Sequence, residues 1–202
     1  MIAILDFGVG NITSIYNMLK RIGLQSQITN NPIEIESSTH IILPGVGSFD
    51  YCMNQIQAAP FYSYLQKWVF EDKKPILGVC VGHQMLFEYS EEGSKQGLGW
   101  VKGKVVKFDS QNTGLRVPHM GWNYLSEFKS ESPLFSGFER PKFYFVHSYY
   151  SIPENEMVTL AKTEYGSAFT CSVGQENIYG VQFHPEKSHK YGMKLYENFA
   201  KI

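Results

Sequence analysis

A cysteine stands between two glycines in the stretch GVCVG, residues 78–82, directly after a short apolar run. A strand that turns sharply into a helix needs small residues beside the turn, because larger side chains would collide there. With serine in the central place, the same pattern of glycine, nucleophile and glycine holds a reactive atom above a sheet. We therefore interpret Cys80 as a candidate nucleophile. The alternative is a small buried apolar residue in a tight turn.

A histidine and an acid offer Cys80 its partners. In the segment VQFHPEKS, an apolar run ends at His184, and Glu186 follows two residues later. On an extended backbone stiffened by Pro185, the carboxylate would reach the imidazole and orient it. The imidazole would take the proton of the thiol and later give a proton to a leaving amine. Taken alone, the two residues would also fit a surface ion pair near a turn.

The other histidines compete with His184 for the role of base, but none has an acid at the same distance after an apolar run. His83 begins the helix predicted after Cys80, and we expect it to pack or to form a local hydrogen bond. The three cysteines are widely spaced and form no CxxC pair, so the sequence indicates neither a disulfide framework nor a zinc site. We predict no metal and no cofactor.

The first half of the chain alternates short apolar runs with amphipathic segments. The runs IAILD, THIILPG and PILGVC are typical of buried parallel strands. Helical spacing over residues 11–22 ends at Gly23, and a second helical segment over residues 49–72 is broken at Pro60. This order predicts a sheet with helices, whose ligand sites gather at the carboxyl ends of the strands. Cys80 closes one such strand.

After Gly99 the sequence pattern changes to several runs in which apolar and polar residues alternate, separated by turn residues. This pattern indicates antiparallel or mixed strands. Residues 189–202 predict a closing helix. No repeat or linker divides the chain, so we predict an α/β fold in a single domain over residues 1–202.

Charge and composition exclude several kinds of partner. With 18 Lys and Arg against 19 Asp and Glu, the formal net charge is -1, which provides no electrostatic footprint for a nucleic acid or an anionic membrane. The first apolar run meets Asp6 and is too short for a signal peptide or a membrane span. We expect a cytoplasmic protein.

The segments GVCVGHQ and HPE together resemble class I glutamine amidotransferases. That resemblance implies a flavodoxin-like three-layer sandwich, with a mostly parallel central sheet, and a Cys-His-Glu triad. The segments PGVGSFD, VPHMGWN, YFVHSYY and DFGVGNITS resemble the branch that passes ammonia to a (β/α)8 cyclase subunit of histidine biosynthesis. A paralogous glutaminase that serves a sugar amidotransferase in surface polysaccharide synthesis would share these segments and stays an alternative.

The resemblance also implies a role for each matching residue. Cys80 would form a γ-glutamyl thioester while L-glutamine is hydrolysed to glutamate and ammonia. The oxyanion would bind to the backbone amide of Val81 and to that of Val46 or Gly47. The remaining pocket residues would be Gly45, Gln84, Glu92, His147, Ser148 and Tyr149. The surface that faces the partner and passes the ammonia would include Met120, Trp122, Tyr144 and Lys187.

Two readings from other classes remain open. A catalytically silent interaction module could keep the same fold, although an intact set of Cys80, His184 and Glu186 argues against it. A cysteine peptidase or deglycase of similar architecture would need neither Gln84 nor the PGVG segment.

Overall fold

The computed structural model describes residues 1–110 and 114–202, and these contain twelve β-strands and six α-helices. The strands are β1 (Ile2–Leu5), β2 (Ser26–Thr29), β3 (His40–Leu43), β4 (Ile76–Val79), β5 (Tyr89–Ser90), β6 (Gly103–Lys107), β7 (His119–Phe128), β8 (Lys142–His147), β9 (Tyr149–Pro153), β10 (Thr159–Tyr165), β11 (Ser167–Gln175) and β12 (Ile178–Val181). The helices are α1 (Ile12–Arg21), α2 (Pro32–Ser37), α3 (Phe49–Ala58), α4 (Tyr62–Phe70), α5 (Val81–Gln84) and α6 (His189–Phe199).

Five parallel strands form the centre of the sheet in the order β2-β1-β3-β4-β12. All residues of β1, β4 and β12 are buried, as their continuous apolar runs require. The order is that of a flavodoxin-like doubly wound sheet, with the fifth position filled by a strand from near the carboxyl terminus. The predicted α/β fold is therefore confirmed.

The helices form the two outer layers. Crossover connections between parallel strands are right-handed, so α1, which leads to the edge strand β2, lies on the face opposite to α3 and α4, which lead the other way to β4. The contacts agree, because α6 packs against α1, whereas α2 and α3 pack against α4. The predicted break between α3 and α4 and the end of α1 before Gly23, with φ of 76°, are both present.

The second half of the chain extends the same sheet with antiparallel strands. Next to β12 the order continues β11-β10-β7-β8, and β9 pairs with both β11 and β6. The prediction of additional antiparallel strands is thus confirmed. Among the described helices, none is long and apolar enough to cross a membrane.

The topology brings three segments together at one edge. Strands β3, β4 and β12 are parallel neighbours, so their carboxyl ends meet. The segment Pro44 to Gly47 follows β3, Cys80 follows β4, and His184 follows β12. Residues that are more than one hundred positions apart in the sequence are therefore neighbours there.

Candidate active site

Cys80 occupies a strained turn between β4 and α5. Its φ is 56° and its ψ is -112°, a conformation that a residue with a side chain rarely adopts. Its amide donates to the carbonyl of Val181 at 2.9 Å, which anchors the turn to β12. A Cβ atom at position 82 would collide with the carbonyl oxygen of Leu43, so Gly82 is needed for this close approach. The turn places Cys80, a residue that is only 5% exposed, at a cavity.

His184 and Glu186 form a buried pair. Nδ1 of His184 lies 2.7 Å from Oε1 of Glu186, and the two side chains are 4% and 2% exposed. Residue 184 itself is extended, but Pro185–Lys187 form one turn of 3-10 helix, whereas the sequence interpretation assumed an extended backbone. The turn brings residues two positions apart onto the same side. A surface ion pair, the alternative interpretation, does not fit this burial.

The imidazole of His184 is held between two groups that favour its charged form. Burial by itself would lower the pKa of His184, but the charge and hydrogen bonding of Cys80 and Glu186 raise it to about 10. The other ring nitrogen, Nε2, is buried and makes no aligned hydrogen bond within residues 1–110 and 114–202. Catalytic hydrogen bonds are often poorly aligned until substrate binds. The arrangement favours the imidazolium form of His184.

Backbone contacts fix His184 in place. Its amide donates to the carbonyl of Tyr144 at 2.9 Å, and its carbonyl accepts from the hydroxyl of Ser188 at 2.6 Å. The same hydroxyl accepts from the amide of Tyr144 at 3.0 Å. Ser188 was not singled out in the sequence analysis, because nothing in its local pattern distinguishes it from an ordinary helix-capping serine.

In this conformation, the predicted oxyanion donor Val81 has its amide occupied, and the amide of Val46 points away from Val81. The amide of Val81 donates to the carbonyl of Gly45 at 3.3 Å. Because C=O and N–H are trans in a peptide unit, the amide of Val46 points the opposite way. The carbonyl of Val46 accepts from the thiol of Cys52 at 3.6 Å, and Gly47 has a φ of 113°, which is open to glycine. The peptide between residues 45 and 46 must therefore rotate before it can donate.

The cavity beside Cys80 has a volume of about 300 Å³. Most of the predicted pocket residues line it. Gly45 and Glu186 do not line it, but they form hydrogen bonds to Val81 and His184, which do. Those that line it are Val46, Gly47, Cys80, Val81, Gln84, Glu92, His147, Ser148, Tyr149 and His184. Pro118 and Val146 also line it and were not predicted. Their roles toward a substrate stay predictions.

Like His184, the lining side chains of Glu92 and Gln84 already have protein partners. Oε2 of Glu92 accepts from the amide of Phe49 at 2.9 Å, while burial raises the pKa of Glu92. Nε2 of Gln84 donates to the carbonyl of Tyr149 at 3.2 Å and to Oε1 of Gln182 at 2.9 Å. The amide nitrogen of Gln84 thus has both protons engaged. Gln182, which was not predicted, contacts Cys80 as well.

The residues predicted to face a partner lie together next to the cavity. Met120 and Trp122 are 62% and 42% exposed, on one face of β7. Trp122 stands opposite Tyr144 on β8, and Nζ of Lys187 lies 5.8 Å from the centre of the Tyr144 ring. Lys187 also lines the cavity and so connects it with the face of β7 and β8 that carries Met120, Trp122 and Tyr144.

His83 has a structural place in the protein. It is fully buried, and its Nε2 lies 3.0 Å from the hydroxyl of Ser151. Since that hydroxyl donates to the carbonyl of Thr170, Nε2 of His83 carries a proton and donates it to Ser151. Burial lowers the pKa of His83, which favours the neutral ring. The sequence analysis expected His83 to pack or to form a local hydrogen bond rather than to act as the base for Cys80, and these contacts agree with that expectation.

We expect His83 to make the protein sensitive to acid. Burial lowers the pKa of His83 from 6.5 to about 3, so its contribution to stability is complete above pH 6.5 and is lost as the pH falls toward 3. Between pH 7 and pH 5 the loss is about 2 kcal/mol in the free energy of unfolding. Urea unfolding of the wild type and of His83→Gln at both pH values measures it. Equal pH dependence in the two proteins would contradict the assignment.

The comparisons with known proteins agree with this geometry. Residues 3–202 match the family model described as glutamine amidotransferase class-I. A protein of Methanococcus maripaludis named imidazole glycerol phosphate synthase subunit HisH 2 is 50% identical over 100% of this chain and 99% of its own length. One of the same name from Pseudomonas aeruginosa is 45% identical, and a subunit HisH of Leptospira interrogans is 46% identical, each over 100% of both chains.

Two solved structures share the fold. PurLQS from Thermotoga maritima has a TM-score of 0.76 at 18% identity, and a structure described as glutamine amidotransferase has a TM-score of 0.77 at 20% identity. Each alignment covers 99% of this chain and 97% of the other. The family model spans almost the whole chain, and the relatives are far above the identity at which family membership is in question. The chain therefore belongs to the class I glutamine amidotransferase family.

Proposed function

We propose that this protein is the glutaminase subunit of imidazole glycerol phosphate synthase and hydrolyses L-glutamine to glutamate and ammonia. The observation that carries the proposal is the strained Cys80 at one cavity with the buried pair of His184 and Glu186. The names of the relatives, which match the chain from end to end, support the choice of enzyme. The direct experiment is an assay of glutamate release by the protein with its partner present.

The side chains support a two-stage reaction. The Cys80 thiolate attacks the side-chain carbonyl carbon of glutamine, and the carbonyl oxygen becomes an oxyanion. When the tetrahedral intermediate collapses, the C–N bond breaks, His184 gives its proton to the leaving nitrogen, and ammonia and a γ-glutamyl thioester result. His184 then takes a proton from water, whose oxygen attacks the thioester carbonyl. The C–S bond breaks, which restores the thiolate beside the imidazolium, and the new carboxyl group releases its proton to solvent as glutamate leaves. Glu186 keeps the imidazole oriented throughout.

The closed oxyanion site supports control of this reaction by the partner. In the free chain the carbonyl of Gly45 occupies the amide of Val81. Rotation of the peptide between Gly45 and Val46 would free one donor and add a second. The segment lies at the rim of the cavity, with Val46 exposed, so a docked protein can act on it.

We expect glutamine hydrolysis to be slow in the free protein and about 100- to 1000-fold faster in the assembled complex, because each oxyanion donor has an effect of about this size. Glutamate release, measured with and without a saturating cyclase subunit, tests this. A free protein that is as fast as the complex would exclude gating.

The partner in this proposal is a (β/α)8 cyclase subunit, which uses the ammonia to make imidazole glycerol phosphate and AICAR in histidine biosynthesis. Ammonia that escapes to water is protonated and is no longer a nucleophile. The face formed by exposed Met120 and Trp122 and half-buried Tyr144, which Lys187 connects with the cavity, suits a surface that covers the exit.

We expect Trp122→Ala to weaken binding of the cyclase subunit by about 30-fold or more, since aromatic anchors dominate interface energies. Titration calorimetry with the two purified subunits measures the affinity. Met157→Ala is a suitable control, because Met157 is exposed and lies in another part of the protein. If the two variants bind the cyclase subunit with equal affinity, Trp122 is not part of the interface.

A second acceptor is also compatible with this site. Two of the relatives named above carry the number 2 in their names, and one of these, from Methanococcus maripaludis, is 50% identical to this chain. A paralogous glutaminase would keep the same catalytic residues and deliver ammonia to a sugar amidotransferase. Purification of the protein from its own cells, followed by identification of the bound partner, decides between a cyclase and a sugar amidotransferase.

A further inference from the structure

Gln182 lies beside the sulfur of Cys80. In the parallel pair of β4 and β12, Val79 stands opposite Val181, so the residues that follow them, Cys80 and Gln182, are neighbours. Nε2 of Gln182 lies 3.9 Å from Sγ of Cys80, and the Gln182 side chain is fully buried. We propose that Gln182 is a positioning residue whose amide group donates to the Cys80 sulfur and favours the thiolate. This deepens the proposed function, on which it rests.

The hydrogen-bond polarity of this contact is fixed by a backbone carbonyl. A carbonyl oxygen can only accept, so the side-chain group of Gln84 that contacts the Tyr149 carbonyl must be the NH₂ group. The second proton of this group then points to Gln182, whose contacting atom must be its oxygen. The remaining end of the Gln182 amide, which faces Cys80, is therefore its NH₂ group. The hydrogen bonds therefore fix the orientation of both side-chain amides, those of Gln84 and Gln182.

The Tyr149 carbonyl, from which this series of hydrogen bonds begins, is itself held in place. Nδ1 of His147 also donates to the Tyr149 carbonyl, at 2.7 Å. Nε2 of His147 must then accept, and it lies 3.0 Å from Nδ1 of His119. His119 in turn contacts Asn123, whose amide nitrogen donates to the carbonyl of Glu164. The two histidines are buried, and burial lowers the pKa of His147 to about 3, so His147 stays neutral and keeps this polarity.

A fixed NH₂ group affects the two forms of the thiol differently. A thiolate is a strong acceptor, whereas a neutral thiol is a weak one. The amide thus lowers the free energy of the thiolate relative to the thiol, and it holds the sulfur in position beside His184. Gln182 does not titrate. The titratable groups that act on Cys80 or share its cavity are His184, Cys52, Glu92, His147, Tyr149 and Lys187.

Alkylation by iodoacetamide tests the proposal without glutamine, so its outcome does not depend on the proposed glutaminase activity. The rate of modification of Cys80 in the full chain is measured against pH, with mass spectrometry of the peptide that contains it. For Gln182→Met, which keeps the volume but removes the donor, we expect the midpoint to rise by about one pH unit and the rate below it to fall about tenfold. Gln182→Glu presents an oxygen to the sulfur, so its midpoint should rise further.

A matched control separates donation from loosened packing. The hydroxyl of Ser172 is fully buried and donates to the carbonyl of Gly180 on β12 at 2.9 Å, away from Cys80. Ser172→Ala should lower thermal stability and leave the alkylation midpoint unchanged. The proposal is overturned if the midpoints of the Gln182 variants equal that of the wild type, or if Ser172→Ala shifts the midpoint by the same amount.

A measurement on the wild type covers the case in which the Gln182 variants do not fold. The side-chain amide protons of Gln182 should change their NMR chemical shifts with the same midpoint as the alkylation of Cys80. In Cys80→Ser this transition should vanish. Amide shifts that stay constant while the wild-type thiol ionises would overturn the proposal.

Discussion

Cys80→Ala should abolish glutamine hydrolysis, with a loss of at least about 10,000-fold in kcat, because loss of a nucleophile removes the covalent route altogether. The side chain that is lost is small and the turn is held by backbone contacts and by Gly82, so the variant should fold. Glutamate release by the assembled complex is the measurement. The same complex should still use added ammonium salts, because the proposed acceptor reaction would occur in the partner.

Cys171→Ala is the matched control for this variant. Cys171 is also a buried free cysteine, but it lies within β11, and burial raises its pKa well above the ordinary value. It should retain glutamine hydrolysis. Loss of both the glutamine-dependent and the ammonium-dependent activity in Cys80→Ala would assign a structural role to the thiol and favour the interaction module of the same fold.

Glu186→Gln should lower kcat by a factor on the order of 10,000 while the fold is kept. The carboxylate accepts from Nδ1 of His184 at 2.7 Å, which leaves Nε2 toward the cysteine. A glutamine can turn its NH₂ group to Nδ1 and select the wrong tautomer, in which Nε2 keeps its proton and cannot accept one from Cys80. The pKa of His184, which is now raised to about 10, should fall as well, because Glu186 contributes to it.

Steady-state kinetics of Glu186→Gln in the complex tests this expectation, with the pH dependence of Cys80 alkylation as a second readout. Glu176→Gln serves as control, since Glu176 is exposed and forms only a surface ion pair with Lys73. A loss of less than about tenfold in Glu186→Gln would show that His184 does not need the carboxylate.

Much of the parallel half of the fold could be predicted from the sequence, because its buried strands are continuous apolar runs and the helices α1 and α3 end shortly before Gly23 and Pro60. The helix predicted after Cys80 is present as a single turn from Val81 to Gln84. Strand β7 was not predicted as a strand. Its outward-facing residues Met120, Trp122 and Tyr124 are apolar but exposed, so the alternation of apolar and polar residues is obscured.

The proposed catalytic residues could be selected from the sequence because local patterns distinguish them: glycines flank Cys80, and an acid follows His184 by two residues. Gln182 and Ser188 have no such local patterns. Their importance depends on strand register and on backbone partners from β4, β8 and the Tyr149 carbonyl, which only the folded chain reveals. The position of the oxyanion amides likewise depends on one peptide orientation that no residue pattern specifies.

The central claim, that Cys80 is the nucleophile toward glutamine, is tested most directly with 6-diazo-5-oxo-norleucine, an electrophilic analogue of glutamine. In the assembled complex, Sγ of Cys80 should displace N₂ and form a stable thioether, which peptide mass spectrometry locates. We predict one adduct, on Cys80, that excess glutamine prevents. A complex that binds its partner but carries no adduct on Cys80 would contradict the account.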